Sequence, residues 1–67
     1  MSVQSIIFKK KYYKVPEAKR WLFKHNYRND DVDIKKNYIR FRQQPPSLFG
    51  HYFIKNITPS IKYVIGY

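Results

Sequence analysis

The chain is 67 residues long, carries 14 Lys and Arg against 4 Asp and Glu for a formal net charge of +10, and contains no cysteine. Such a length allows one domain, near the lower limit for autonomous folding, and the missing thiols exclude disulfide scaffolds, Cys-ligated zinc and thiol catalysis. The charge favours a polyanionic partner such as nucleic acid, an anionic membrane or an acidic protein surface.

From Val3 to Tyr13 the segment VQSIIFKKKYY is rich in β-formers, and Ile6 and Phe8 share one parity, which predicts a first strand ending near Lys9. Lys9, Lys10 and Lys11 then lead into a loop. Pro16 suits the first helical position and Glu17 suits the positive end of the helix dipole, although no Ser, Thr, Asp or Asn precedes them as a cap. Ala18, Trp21, Leu22 and His25 recur at helical spacing and form a core-facing stripe, with Asn26 or Asn29 ending the helix. The opposite surface carries Lys19, Arg20, Phe23, Lys24, Tyr27 and Arg28. Phe23 and Tyr27 lie four residues apart among cations there, which fits a nucleic-acid surface and equally fits packing under the following loop.

Asn29, Asp30 and Asp31 predict a turn, after which Val32 to Ile34, a turn at Lys35 to Asn37, and Tyr38 to Gln43 form a hairpin. Gln44 to Gly50 contains Pro45 and Pro46 and reads as a loop. Tyr52 to Ile57 and Ile61 to Tyr67 predict two further strands around Thr58-Pro59-Ser60. The order is strand, helix, hairpin, hairpin, an α+β fold over residues 1–67 with a single helix packed on a small, mostly antiparallel sheet. With 12 of 13 aromatics being Tyr or Phe, large rings must supply much of a small core. Ile6, Phe8, Ile39, Phe41, Ile57, Ile61 and Ile65 are the candidates to cover Trp21 and Leu22.

Chemistry-bearing groups are sparse. His25 reads as a partly buried core histidine, and His51 has no companion that would make it a ligand. Asp30, Asp31 and Asp33 lack the glycine and terminal Glu of an EF-hand loop, so they are expected to serve as counter-charges. The two glycines, Gly50 and Gly66, form no phosphate loop. An enzyme is therefore not expected, nor a cofactor or a metal site. Strand alternation sets Tyr38, Arg40 and Arg42 on one face, where phosphate contacts and a stacking ring would suit a single-strand binder. The pattern falls short of the RNP1 signature. Arg40 and Arg42 are open to a second reading, ion pairs with Asp31 or Asp33 across the hairpin.

The residues Ala18-Lys19-x-Trp21-Leu22-x-x-His25-x-Tyr27, Asp33, Asn37-Tyr38-x-Arg40-Phe41-Arg42-Gln43 and a late Gly66 resemble a group of small uncharacterised domains in tailed phages and large DNA viruses. In these an AKxWLxxH helix precedes a DxxxNYxRFRQ strand. The resemblance spans about Ile6 to Gly66 and implies a viral origin and a compact domain whose shared pattern centres on Trp21, Asp33, Arg40, Phe41, Arg42 and Gln43. It brings no activity. The chain departs from the pattern at Gln44-Pro45-Pro46 and in the turn Thr58-Pro59-Ser60.

The leading expectation is a small basic viral binding protein that contacts DNA or RNA through phosphates with low sequence specificity. The candidate contacts are Lys9, Lys10, Lys11, Arg20, Lys24, Tyr27, Tyr38, Arg40 and Arg42. The alternative is a protein-protein interaction module, a virion component or an inhibitor of a host protein, that docks a basic aromatic patch on an acidic surface. An AT-rich coding sequence also favours Lys, Ile, Asn, Tyr and Phe, so composition alone leaves the origin of the charge open. The segment Met1 to Phe8 has no signal-peptide n-region, and no apolar run approaches the roughly 18 residues of a membrane span. The expected setting is the host cell interior or the virion, without a membrane partner, and strand edges in so small a chain are compatible with a homodimer.

Overall fold

The order of elements follows the hydrophobic pattern in the computed structural model, which describes residues 1–67. Strand β1 (Ser2–Lys9) leads to helix α1 (Val15–Lys24), then β2 (Val32–Ile34), β3 (Tyr38–Arg42), a 3-10 turn (Pro46–Leu48), β4 (Tyr52–Thr58) and β5 (Ile61–Gly66). The strands form one sheet in the order β2-β3-β1-β5-β4, and every neighbouring pair is antiparallel. Strand β1 thus sits at the centre, with one hairpin on each side.

Local chemistry explains the limits of α1. The Lys14 N–H donates to the Glu17 carboxylate at 2.9 Å, so Glu17 caps an entry that lacks a small polar residue. At the far end Asn26 takes a left-handed φ of 62°. Its N–H reaches the Phe23 carbonyl at 3.2 Å and the Tyr27 N–H reaches Leu22 at 2.9 Å, the paired bonds of a Schellman ending.

Ile6, Phe8, Ala18, Leu22, Ile39, Phe41 and Ile61 form the buried core between α1 and one sheet face. Each of the larger side chains contributes about 1.5–3 kcal/mol through area removed from water. Phe8 is the hub, with Tyr13, Trp21 and Phe41 meeting it edge-on at 5.1, 5.6 and 5.7 Å between ring centroids. Three expectations need correction. Ile57 is 36% exposed, because the register shifts between Asn56 and Thr58 at the end of the outermost strand. His25 lies past the last helical turn and is exposed, with Nδ1 2.8 Å from the Trp21 carbonyl oxygen and its ring stacked on Trp21 at 3.8 Å. Tyr27 leaves the outer helical surface because the left-handed Asn26 reverses the chain. Its ring lies parallel to Trp21 at 6.4 Å and meets Tyr63 edge-on at 5.7 Å.

No helix is long and apolar enough to cross a membrane. The helix covers only one face of the sheet. What the other face presents is set by the register.

Candidate nucleic-acid interface

Strand pairing fixes the uncovered face row by row. Asp33, Arg40, Ile7, Lys62 and Asn56 lie side by side across the five strands, with Tyr38 and Lys9 in a flanking row and Arg42, Ser5, Val64 and Ile54 in another. One end of this face is closed by the loop before β4. Phe49 lies over the Gly66 backbone, where any Cβ would enter its ring, and the Tyr52 hydroxyl donates to the Pro46 carbonyl.

The other end is a basic groove of about 560 Å³ lined by Ile7, Lys9, Lys10, Lys11, Lys36, Asn37, Tyr38, Ser60 and Lys62. Its backbone is pinned from both sides. The Lys9 N–H bonds to the Ser60 carbonyl at 2.9 Å and the Lys10 N–H to the Asn37 carbonyl at 3.1 Å, so the end of β1 is held between the two hairpin turns. The Thr58 hydroxyl accepts the N–H groups of Ser60 and Ile61 at 3.1 and 3.0 Å, which shapes the second turn. The Lys10 ammonium donates to the Lys35 carbonyl at 3.1 Å. Ile7, Tyr38 and Lys62 continue into an adjoining trough of about 570 Å³ that also contains Arg40, Pro46, Tyr52, Phe53, Ile54 and Val64.

All four carboxylates of the chain are committed elsewhere. Asp30 pairs with Arg28 at 3.1 Å, Asp33 with Lys35 and Arg42 at 3.2 Å each, and Asp31 with Arg42 at 3.7 Å, while Glu17 caps α1. The Lys35 ammonium and then the Arg42 guanidinium hold the Asp33 carboxyl below its usual range; Arg28 does the same for Asp30. No carboxylate lies within 4.0 Å of Lys9, Lys10, Lys11, Lys36 or Lys62. Their mutual repulsion is left for solvent and salt, or an anionic partner, to relieve. The chain holds no cluster of three His, Asp or Glu side chains that would bind a metal ion.

The residues singled out in the sequence divide among three environments. Lys9, Lys10, Lys11 and Tyr38 converge on the groove. Arg20 and Lys24 lie on the helix side of the sheet, in a shallow depression with Tyr13, Glu17 and Trp21, and Tyr27 packs against the core there. Arg40 and Arg42 are engaged internally. Arg40 donates from Nε to the Ser5 hydroxyl at 2.9 Å and from Nη2 to Gln4 Oε1 at 2.8 Å, and both acceptors are fully buried. Gln43, next in line, accepts the Arg28 N–H at 2.7 Å and donates to the Arg28 carbonyl at 2.8 Å. Sequence reasoning missed Lys36 and Lys62. Lys62 is visible as an outward residue by alternation with Ile61, but only the strand order brings it beside Ile7.

Comparison with known protein families, characterised proteins and solved structures finds no match.

Proposed function

We propose that this chain is a small, non-enzymatic binding protein whose partner is nucleic acid, held with low sequence specificity through phosphate contacts. The observation that carries the reading is the convergence of five lysines on one groove that no carboxylate enters. Phosphates would lie along Lys9, Lys10, Lys11, Lys36 and Lys62, and the half-buried Tyr38 ring at the groove's wall offers a surface for a base. Lysine ammoniums on flexible stems suit unspecific phosphate contact, whereas base readout favours planar bidentate groups. The resemblance of the AKxWLxxH and DxxxNYxRFRQ segments to phage and viral domains supports a viral setting, in the host cell interior or the virion.

A second reading draws on the outer surface of α1. Phe23 is 76% exposed among Lys19, Arg20 and Lys24, which suits docking on an acidic protein surface.

Fluorescence anisotropy with a generic oligonucleotide separates the two. Affinity is expected to fall steeply between about 50 and 200 mM salt. Alanine at Lys9, Lys10 and Lys11 together is expected to reduce the salt slope by about two to three units. Alanine at Arg20 and Lys24 should leave the slope unchanged. Salt-insensitive binding, or no binding at low salt, would overturn the nucleic-acid reading.

A further inference from the structure

The two edges of the sheet are unlike. At one edge β2 is three residues long, and its own Asp33 with the flanking Asp31 and Lys35 supplies charges that discourage a further strand. At the other, β4 runs for seven residues, every one exposed, with Lys55 as its only charge in a chain of net charge +10. Tyr52, Phe53 and Ile54 are 42, 41 and 58% exposed.

The ladder shows which backbone groups of β4 are unpaired. His51 and Tyr67 exchange both hydrogen bonds, each at 3.0 Å. Antiparallel alternation then directs the N–H and C=O groups of Phe53 and Lys55 to β5, and those of Tyr52, Ile54 and Asn56 outward. The bond from Lys9 N–H to the Ser60 carbonyl, two strands inward, lies in the same phase. Six backbone groups therefore form a regular, unpaired row.

We propose that β4 pairs antiparallel with β4 of a second copy, about a two-fold axis perpendicular to the sheet at Ile54, giving a continuous ten-stranded sheet. The register follows from chemistry. An axis at Lys55 would set two ammoniums directly opposite each other. An axis at Phe53 would set Asn56 against Gly50, whose N–H is already bonded to the Tyr67 carbonyl at 3.1 Å. At Ile54 all six outward groups are used. Tyr52 meets Asn56, Ile54 meets itself, and the Lys55 stem crosses Phe53 on the helix side. Pairing is isologous and closes, because the short charged β2 edge discourages the head-to-tail alternative that would make fibres.

The axis keeps both uncovered faces on one side, with the two β1 strands five strand spacings apart, about 24 Å. One polynucleotide spanning both lysine grooves would gain avidity. That consequence alone rests on the nucleic-acid reading.

Sedimentation equilibrium on the full chain tests the dimer. The wild type is expected to reach the mass of two chains as concentration rises, and more readily as salt is added, because salt screens repulsion between two cationic protomers. Ile54→Pro removes an outward N–H while sparing the β5 ladder, and is expected to weaken the dimer about tenfold or more with an unchanged far-ultraviolet circular dichroism spectrum. Ile54→Lys sets like charges at the axis and should act alike. A chain that stays monomeric up to its solubility limit would refute the dimer, as would a dimer indifferent to both substitutions. Nucleic-acid binding is read separately by its opposite salt dependence: a monomeric Ile54→Lys protein that still binds oligonucleotide at low salt leaves the groove assignment standing.

Discussion

Replacing Arg40 by Gln tests whether this arginine is a ligand contact or part of the framework. Its guanidinium makes two bonds, at 2.9 and 2.8 Å, to oxygens of Ser5 and Gln4 that water does not reach. Hydrogen bonds from a charged donor are worth about 1.5–3 kcal/mol each. The two are not additive here, because the Ser5 hydroxyl still donates to Gln4 Oε1 at 2.6 Å and neither residue is left wholly unpartnered. The expected loss is about 2–3 kcal/mol, a large share of the roughly 3–10 kcal/mol available to a domain of this size. With a urea m-value of about 1 kcal/mol/M, the midpoint of a tryptophan-fluorescence unfolding curve should fall by about 2 M or more. Arg42→Gln breaks ion pairs whose side chains are 29 to 48% exposed, and should cost about 1 kcal/mol or less. In a double-mutant cycle, Ser5→Ala should absorb much of the effect of Arg40→Gln. An unchanged midpoint for Arg40→Gln, together with a drop in oligonucleotide affinity, would refute the framework role and return Arg40 to the binding surface.

Two further substitutions probe the ends of the sheet and its covered face. Gly66→Ala pushes a methyl group into the Phe49 ring, so it should cost about 1–3 kcal/mol by thermal or urea unfolding, and Phe49→Ala should abolish that cost; equal penalties in both backgrounds would show that Phe49 does not pack there. For Tyr63, burial first and the neighbouring Tyr27 hydroxyl second push the phenol up to about 12 from an ordinary 10.0. A folded value above the unfolded one means stability that is present below pH 10 and lost as the pH rises towards 12. The wild type is expected to lose stability relative to Tyr63→Phe across that interval, and a difference between the two that stays constant with pH would contradict the assignment.

Much of the fold was legible because alternation and helical spacing agree with turn chemistry at nearly every junction. Pro16 and Asn26 mark the helix, the Lys35–Asn37 and Thr58–Ser60 turns mark the hairpins, and Ile39 and Phe41 fall on the buried parity. The misreadings share one origin, since the apolar pattern continues past the point where an element ends or its register breaks. His25 keeps the helical spacing of Ala18 and Leu22 yet follows the last turn, and Ile57 keeps a strand's apolar character beyond a register shift. The shift between Val3 and Ser5 had no sequence signal either. It buries both Gln4 and Ser5, polar residues that a two-residue period cannot place together inside.

The same irregularity separates framework from site. Gln4 is the extra residue in β1, and its carbonyl accepts the N–H groups of Gln43 and Gln44 at 2.7 and 3.3 Å while its side chain donates to the Gln44 carbonyl at 2.8 Å. Buried polar groups of this kind require partners, and Arg40 is the cation that completes the set. In the RFRQ segment, Arg40 anchors the bulge, Phe41 fills the core, Arg42 ties the β2–β3 hairpin through Asp31 and Asp33, and Gln43 clamps the backbone of Arg28. Every side chain of RFRQ is thereby committed within the molecule. On the proposed function, recognition of a partner falls to groups outside RFRQ: Tyr38 and the lysines at the end of β1, in one hairpin turn and on β5. No carboxylate pairs with these lysine ammoniums, because the three aspartates are held by Arg28, Lys35 and Arg42. If the groove binds a polyanion as proposed, a variant that moved Asp33 or Asp31 toward β1 should weaken oligonucleotide affinity in the anisotropy assay without touching any residue of the groove.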